Sequence, residues 1–496
     1  ADKDAGAAFL KYKDFKPYVD YFNSMEDENI AQAIPNARAS QWMEENIPLF
    51  ECSQKNFEEM YYYRWWTLRK HIKETPVGYG MTEFLVNRSY ADKYNLIACA
   101  IGHHIYESRW LRNPEYLNQI IHTWYRGNEG GPMAKMTKFS SWNADAVLGR
   151  YMVDGNKEFL LDMVKDLEAE YARWEKTNRL PNGLYWQGDV QDGMEESISG
   201  GRRKQYARPT INSYMYGNAK ALSLIGIMTG DEGMAMKYGL KADSIKTLVQ
   251  DKLWNTDHHF FETMRGDASA EVREAIGYIP WYFNLPDASS KYTVAWKEVM
   301  DEKGFSAPYG LTTAERRHPE FRTHGVGKCE WDGAIWPFAS AQTLTAMANF
   351  MNNYPQTVLT DSVYFHQMER YVESQHHRGR PYIGEYLDEV TGYWLKGDQE
   401  RSRYYNHSTF NDLMITGLIG LRPRMDNTVE VNPLIPEGKW DYFCLDNVLY
   451  HGRNLTILWD KDGSRYQRGK GLHIYVDGKE VGHADTLTRV LCENVL

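Results

Sequence analysis

The 496-residue chain lacks several features that mark particular classes of protein. No apolar run approaches the roughly 20 residues of a membrane-spanning helix, and the mean hydropathy is −0.63. The five cysteines are widely scattered without a CxxC pair, so neither a disulfide framework nor a zinc knuckle is indicated. Positive charge is not in excess, since the formal net charge is −10. This balance argues against nucleic acid or an anionic membrane as the main partner.

Motifs of common catalytic classes are also missing. There is no GxSxG elbow of a serine hydrolase and no HExxH zinc motif. The GVGK stretch at 325–328 lacks the full spacing of a phosphate-binding loop. We therefore predict no metal and no cofactor.

The start of the chain shows no charged segment followed by an apolar one, so no signal peptide is visible. A mature exported protein and a shortened chain would both have such a start, and we expect a periplasmic or secreted protein. For the assembly we expect a monomer or a weak oligomer.

Aromatic residues, by contrast, are abundant, with 16 Trp, 35 Tyr and 18 Phe. Most of them must form an aromatic core. Trp and Tyr also combine a flat apolar face with a polar group, and such faces suit the C–H surfaces of sugar rings. The functional subset should therefore lie beside carboxylates in loops.

The stretch from about 55 to 425 has helical periodicity in segments of 12–20 residues, for example 90–107, 209–229 and 269–283. About twelve helices in antiparallel succession fit two concentric rings of six. We therefore predict a mainly α protein, an (α/α)6 toroid over 55–425. An irregular helical array is the alternative that composition leaves open.

After residue 425 apolar and polar residues alternate, with hairpin-turn signals at Asp462-Gly463 and Asp477-Gly478. We predict that 426–496 forms a small antiparallel β region resembling a sandwich. Residues 1–54 form a lead-in that we expect to pack on the toroid.

Three loop stretches combine acidic and aromatic residues. The first, 184–222, places four acids in a Gly-rich loop before a helix, without the spacing of a calcium-binding EF-hand. The second, 380–407, and the third, 329–344, each hold an acid beside Trp or Tyr. The candidate site residues are Trp186, Asp192, Glu195, Arg208, Asn212, Trp331, Asp332, Trp336, Tyr382, Glu385 and His407.

Two separated carboxylates among aromatic residues suggest hydrolysis of a glycosidic bond. One acid must be protonated to give a proton to the glycosidic oxygen, whereas the other must be ionised to activate water or attack carbon. Their surroundings must therefore separate the two pKa values.

The order of three short motifs resembles the six-hairpin glycosidases, in the mannosylglycerate-hydrolase-like branch related to trehalase and processing α-glucosidase. The motifs are GMEES at 193–197, GAIWP at 333–337 and EYLDEVTG at 385–392. The family pattern usually has Asp where this chain has Glu195, which leaves Asp192 as the alternative acid. Glu385 stands where these families hold the general base.

The resemblance implies an (α/α)6 barrel and an exo-acting site that inverts the anomeric carbon of a carbohydrate substrate. Relatives act on α-glucosides, α-mannosides or β-L-arabinofuranosides of plant pectin. The segments GHHIYESRW at 102–110 and PTINSYMYG at 209–217 are most similar to the sequences of the last group.

Two other functions compete with this hypothesis. A polysaccharide lyase on a helical toroid would use Tyr216 or His407 as the base and Asn212 or Arg208 to neutralise a uronate. A non-catalytic glycan-binding protein would use the aromatic residues as platforms.

Overall fold

The computed structural model describes residues 9–324 and 329–496. The first eight residues of the lead-in and the GVGK stretch at 325–328 lie outside the described residues. The helices of the described part are α1 (Lys16–Ser24), α2 (Asn36–Asn46), α3 (Lys55–Lys70), α4 (Ile101–Ser108), α5 (Glu115–Arg126), α6 (Asn143–Asp154), α7 (Lys157–Asp162), α8 (Val164–Asn178), α9 (Pro209–Thr229), α10 (Glu232–Leu248), α11 (Ile279–Tyr282), α12 (Ser290–Thr293), α13 (Pro337–Asn353), α14 (Asp361–Ser374) and α15 (Asn411–Leu413).

The strands are mostly short and lie in loops between helices, except near the C-terminus. They are β1 (Leu49–Cys52), β2 (Ile72–Thr75), β3 (Gly78–Met81), β4 (Trp186–Gln187), β5 (Tyr206–Ala207), β6 (Trp254–Asn255), β7 (Phe260–Phe261), β8 (Met264–Arg265), β9 (Ala268–Ser269), β10 (Ser306–Ala307), β11 (Gly310–Leu311), β12 (His376–His377), β13 (Arg380–Pro381), β14 (Leu421–Arg422), β15 (Val429–Val431), β16 (Tyr442–Tyr450), β17 (Arg453–Asp460), β18 (Gly471–Val476), β19 (Lys479–Ala484) and β20 (Val490–Cys492).

Six helices contact one another in a closed circuit. In this circuit α4 packs on α6, α6 on α9, α9 on α11, α11 on α13, α13 on α15, and α15 on α4. Helices α8 and α10 pack against α9, and α14 packs against α13 and α3. The mainly α class with a toroidal arrangement is therefore confirmed.

Helix α9 shows how the sequence builds a fully enclosed ring member. Pro209 occupies the first helical turn, and Gly230 ends the helix in the left-handed conformation at φ 75°. Every residue from Pro209 to Ala219 is buried, as expected of a helix that is surrounded on all sides. The predicted bounds 209–229 match this helix.

Two predicted helices are wrong. In 90–107 only the second half is helical, because Tyr94 and Asn95 adopt left-handed backbone angles (φ 63° and 61°). In 269–283 only Ile279–Tyr282 is α-helical. The backbone N–H of Ala275 instead donates to the carbonyl of Thr313 at 2.9 Å, so this segment bonds to another loop.

The C-terminal region contains antiparallel strands, as predicted. One sheet has the order β1-β16-β17-β18-β19 and a second has β14-β15-β20. Asp477 and Gly478 form the tight turn between β18 and β19, both with positive φ. Asp462-Gly463 lies between β17 and β18, which also pair as antiparallel neighbours with Asp460 opposite Gly471, so this hairpin forms as well, although with a longer loop.

The lead-in contacts both parts of the molecule. Helices α1 and α2 pack against α3, whereas β1 pairs with β16, with Leu49 opposite Asp446 and Cys52 opposite Phe443. Among the described residues no helix has the length and apolar character needed to cross a membrane.

Candidate active site

The first acidic stretch forms a loop between β4 and β5, directly before α9. Gly193 and Glu196 both have left-handed backbone angles (φ 72° and 66°). Glycine adopts such angles without cost, whereas a glutamate there is uncommon. The two residues enclose Met194 and Glu195 in a sharp turn, which fixes the place of the Glu195 side chain.

Asp192 and Arg208 form the buried underside of this loop. The Arg208 Nε donates to Asp192 Oδ2 at 2.7 Å, and both side chains are completely buried. Asp192 also accepts hydrogen bonds from the hydroxyls of Thr210, at 2.6 Å, and Ser140. A carboxylate with these partners and no solvent contact has an anchoring role.

Asn212, a further predicted substrate contact, is also fully buried. Its side chain accepts from the backbone N–H of Tyr185 at 2.8 Å and donates to the Tyr185 carbonyl at 2.9 Å. Arg208 and Asn212 therefore hold the loop from beneath, and neither has a surface to offer a ligand.

Glu195 is half-buried in the same loop. Burial raises its pKa to about 7, and the negative charges of Glu385 and Asp189 act in the same direction. A carboxyl group with this pKa is partly protonated near neutral pH, which is the state a proton donor needs.

Glu385 belongs to the second acidic stretch and is 5% exposed. Its Oε1 lies 3.5 Å from Lys396 Nζ, and its Oε2 accepts from Arg401 Nη2 at 3.4 Å. The two predicted acids therefore interact across the site, but Glu385 faces cations whereas Glu195 faces other acids.

Glu83 is a third acid of this group that the sequence motifs did not reveal. It is 5% exposed and accepts hydrogen bonds from Tyr405, at 2.7 Å, and from the Cys99 thiol, at 3.1 Å. Burial raises its pKa to about 7, and the charges of Glu385 and Glu195 add to the shift. Its sequence surroundings, GYGMTEF at 78–84, hold glycine and aromatic residues but match none of the three motifs.

The third stretch supplies an aromatic wall. Trp336 stacks between Trp331, with ring centroids 4.7 Å apart, and Tyr386, at 4.4 Å. The wall continues to His407, which lies 6.2 Å from Trp336 and 4.2 Å from Tyr405. Trp331 and Trp336 are each only 2% exposed, so they support the site from behind.

His407 is buried beside the backbone of Glu385. Burial lowers its pKa well below the usual value, although the backbone of Glu385 opposes this shift. The ring is therefore neutral at physiological pH, next to the loop that holds Glu385.

Asp332 connects two of the loops rather than facing solvent. It is fully buried and accepts from the backbone N–H of His324 at 2.9 Å. The His324 Nδ1 also lies 2.8 Å from the carbonyl oxygen of Glu196. This bridge ties the turn that holds Glu195 to the loop before α13.

The last two predicted residues lie at the edges of the group. Tyr382 is 8% exposed, and its hydroxyl donates to the Gly397 carbonyl at 3.0 Å. Trp186 is half-buried and lines a separate cavity of about 300 Å³ with Trp174 and Arg202.

A possible metal-binding group lies elsewhere. His258, Glu262 and Glu271 offer ligand atoms within 4.8 Å of one another. Their side chains already pair, with His258 Nδ1 at 2.7 Å from Glu262 and Nε2 at 3.2 Å from Glu271. This group is not part of the acid cluster.

The match to known families agrees with this arrangement. Residues 93–408 match the family described as the mannosylglycerate hydrolase MGH1-like glycoside hydrolase domain. The chain belongs to this family. The resemblance predicted from the motifs is thereby confirmed. Residues 421–483 match the C-terminal domain of glycosyl hydrolase family 65.

Similar solved structures support the fold. A structure named sialidase is 83% identical over the whole of this chain, with a TM-score of 0.99, and the chain covers 46% of that protein. The GH63 mannosylglycerate hydrolase from Thermus thermophilus in complex with glucose is 12% identical, with a TM-score of 0.53 over 72% of this chain and 99% of its own. The GH78 family rhamnosidase of a Bacillus species is 11% identical, with a TM-score of 0.59 over 86% of this chain and 41% of its own.

Proposed function

We propose that the protein is an exo-acting, inverting glycosidase in which Glu195 is the general acid and Glu385 the general base. Protonated Glu195 gives its proton to the glycosidic oxygen as the bond from that oxygen to the anomeric carbon breaks. Ionised Glu385 takes a proton from a water molecule whose oxygen attacks the anomeric carbon from the opposite face. The products are a free sugar of inverted configuration and an alcohol.

The contrast between the two carboxyl environments carries this proposal. Glu195 has a pKa of about 7 through burial and neighbouring acids, whereas Glu385 contacts Lys396 and Arg401. Acid and base roles require such a separation of environments. The family membership supports the same reaction class.

Asp192 is a weaker candidate for the acid. Its carboxylate is completely buried against Arg208, so a glycosidic oxygen has no access to it. We assign Asp192 to the positioning of the acid loop.

The lyase alternative has little support. It recruits Arg208 and Asn212 to bind a uronate, yet both are completely buried and engaged within the acid loop. Absorbance of an unsaturated product from an acidic polysaccharide would favour it.

The proposal is tested by a panel of aryl glycosides and oligosaccharides, followed by identification of the released sugars. An enzyme that removes terminal sugars releases monosaccharides and leaves the shortened chain or the aglycone, with no internal fragments. On a substrate found in this way, Glu385→Gln should lower kcat by about a hundredfold or more with little change in binding, because the base is lost while the shape is kept.

Glu400→Gln is the matched control, since Glu400 is an exposed residue of the neighbouring segment, and it should leave kcat unchanged. A Glu385→Gln enzyme with full activity would contradict the assignment of the base.

A further inference from the structure

A second cavity lies beside the loop that carries Glu385. Its volume is about 560 Å³, and its walls come from the lead-in, from the hairpin β12–β13 and from the segment after Gly397. Tyr382 lines it and precedes Glu385 in the same loop. The lining residues of opposite charge are Glu26, Asp27, Arg378, Arg380, Asp398 and Arg403.

Two of the three acids in this lining already have cationic partners. Glu26 pairs with the buried Lys70 and accepts from the Tyr404 hydroxyl. Asp398 pairs with Arg378 at 3.0 Å and with His377 at 3.3 Å. Their charges are therefore largely balanced within the protein.

Arg380 and Arg403 differ from Arg378, the third arginine of the lining, which pairs with Asp398. Both are exposed, and in the described part of the chain neither guanidinium forms an ion pair or a hydrogen bond; the exposed Asp27 of the lining is likewise without such a partner. They come from different segments that converge on one cavity. The cavity therefore has two cations and one acid without partners, an excess of positive charge in a protein of net charge −10.

The hairpin holds Arg380 in a defined place. His376 pairs with Pro381, and His377 with Arg380. The turn residues Arg378 and Gly379 both have positive φ, 53° and 76°, which is the geometry of a tight two-residue hairpin. The backbone of Arg380 is therefore held by its pairing with His377.

Aromatic rings line the same space. Tyr382 and Tyr404 border the cavity, and Tyr382 packs against Trp394 with ring centroids 5.4 Å apart. Flat aromatic faces suit sugar rings, and an arginine suits a carboxylate through paired N–H donors.

We propose that this cavity is a subsite for a carboxylate-bearing sugar, a uronate unit of the same substrate chain that the glycosidase cleaves. Arg380 and Arg403 pair with the carboxylate, and Tyr382 and Tyr404 contact the ring. The inference rests on the proposed function for the identity of the ligand as a saccharide.

Calorimetric titration tests this subsite without requiring hydrolysis. The probes are digalacturonate and its carboxyl-reduced neutral counterpart, at neutral pH and low salt, where charge pairing is least screened. The parent protein should bind digalacturonate at least tenfold more tightly than the neutral disaccharide. The double variant Arg380→Gln/Arg403→Gln should lose that preference.

Arg173→Gln is the matched control, because Arg173 is an exposed arginine on α8 outside the cavity, and it should keep the preference. Equal affinity for the two probes, undetectable binding of both, or a preference that survives in the double variant would overturn the subsite. Unchanged melting temperatures show that the variants are folded.

Each of the two proposals can be contradicted without the other. Hydrolysis of neutral glycosides without any uronate preference would overturn the subsite and leave the proposed function standing. A uronate preference that depends on Arg380 and Arg403, without hydrolysis of any glycoside in the panel, would overturn the proposed function alone.

Discussion

The three glutamates of the site differ in their neighbours. Glu195 and Glu83 are buried near other acids, which raises the pKa of each to about 7. Glu385 contacts Lys396 and Arg401 instead. The identity of a residue therefore does not assign its role, whereas the charges around it do.

The role of Glu195 can be separated from that of Asp192 by comparing substrates. Glu195→Gln should reduce turnover of substrates with poor leaving groups by about a hundredfold, and should affect activated aryl glycosides much less, because these need little protonation. Steady-state kinetics on a series of leaving groups checks this.

Asp192→Asn serves as the contrasting variant. It removes one partner of a buried ion pair, so it should lower the stability by about 3–5 kcal/mol and affect all leaving groups alike. A leaving-group dependence in Asp192→Asn, with none in Glu195→Gln, would move the acid role to Asp192.

The pH dependence of kcat/KM reports the ionisation of the Glu195 carboxyl group. Since the acid must be protonated, kcat/KM should fall as the pH rises through about 7, the pKa of Glu195. Glu83→Gln removes a neighbouring negative charge, so the alkaline limb should move to lower pH. An alkaline limb at the same pH in both proteins would contradict this coupling.

Sequence motifs could identify Glu195 and Glu385, because each stands in a short pattern with glycine and aromatic residues. Glu83 also follows glycines and precedes Phe84, but it matches no family motif, and its partners Tyr405 and Cys99 are brought near only by the fold. Arg208 and Asn212 were predicted to contact substrate. Their residue types fit that role, but burial decides against it.

At the level of helices, one buried acid connects three of them. Glu170 on α8 accepts from Tyr125 on α5 at 3.2 Å and from Asn143 on α6 at 3.1 Å. Burial raises its pKa to about 7. In the unfolded chain a glutamate titrates near its ordinary value of about 4.3.

This shift makes a testable contribution to stability. The folded protein binds the proton more tightly than the unfolded chain, so the contribution of Glu170 is full below about pH 4.3 and is lost as the pH rises to about 7. Glu170→Gln mimics the protonated form. Its melting temperature relative to the parent should therefore rise between pH 5 and pH 8.

Glu158→Gln, at an exposed position on α7, is the control and should show no such trend. A constant difference in melting temperature between Glu170→Gln and the parent across this range would contradict the raised pKa of Glu170.

Helix prediction succeeded where apolar periodicity and end signals agree, as in α9, which has Pro209 at its start and Gly230 after its end. It failed at 269–283, where apolar residues are also frequent. There the backbone of Ala275 bonds to Thr313, a partner that no local pattern reveals. Long-range hydrogen bonds thus override local periodicity.

On the scale of the whole molecule, the lead-in and the C-terminal region meet in one sheet. Strand β1 pairs with β16, although the two strands are separated by almost the full helical region. Alternation indicated the strands after residue 425, but β1 is short and buried throughout, so it shows no alternation. Its pairing depends on the closure of the toroid.

We propose that the acid cluster performs glycoside hydrolysis by a single displacement with inversion. Proton NMR of the first turnovers in D₂O, on a substrate of known anomeric configuration from the glycoside panel, tests it most directly. The account predicts that the first sugar released has the opposite anomeric configuration, before mutarotation mixes the two forms. Release of a sugar with the configuration of the substrate would contradict it, because retention requires a covalent intermediate and a nucleophilic carboxylate.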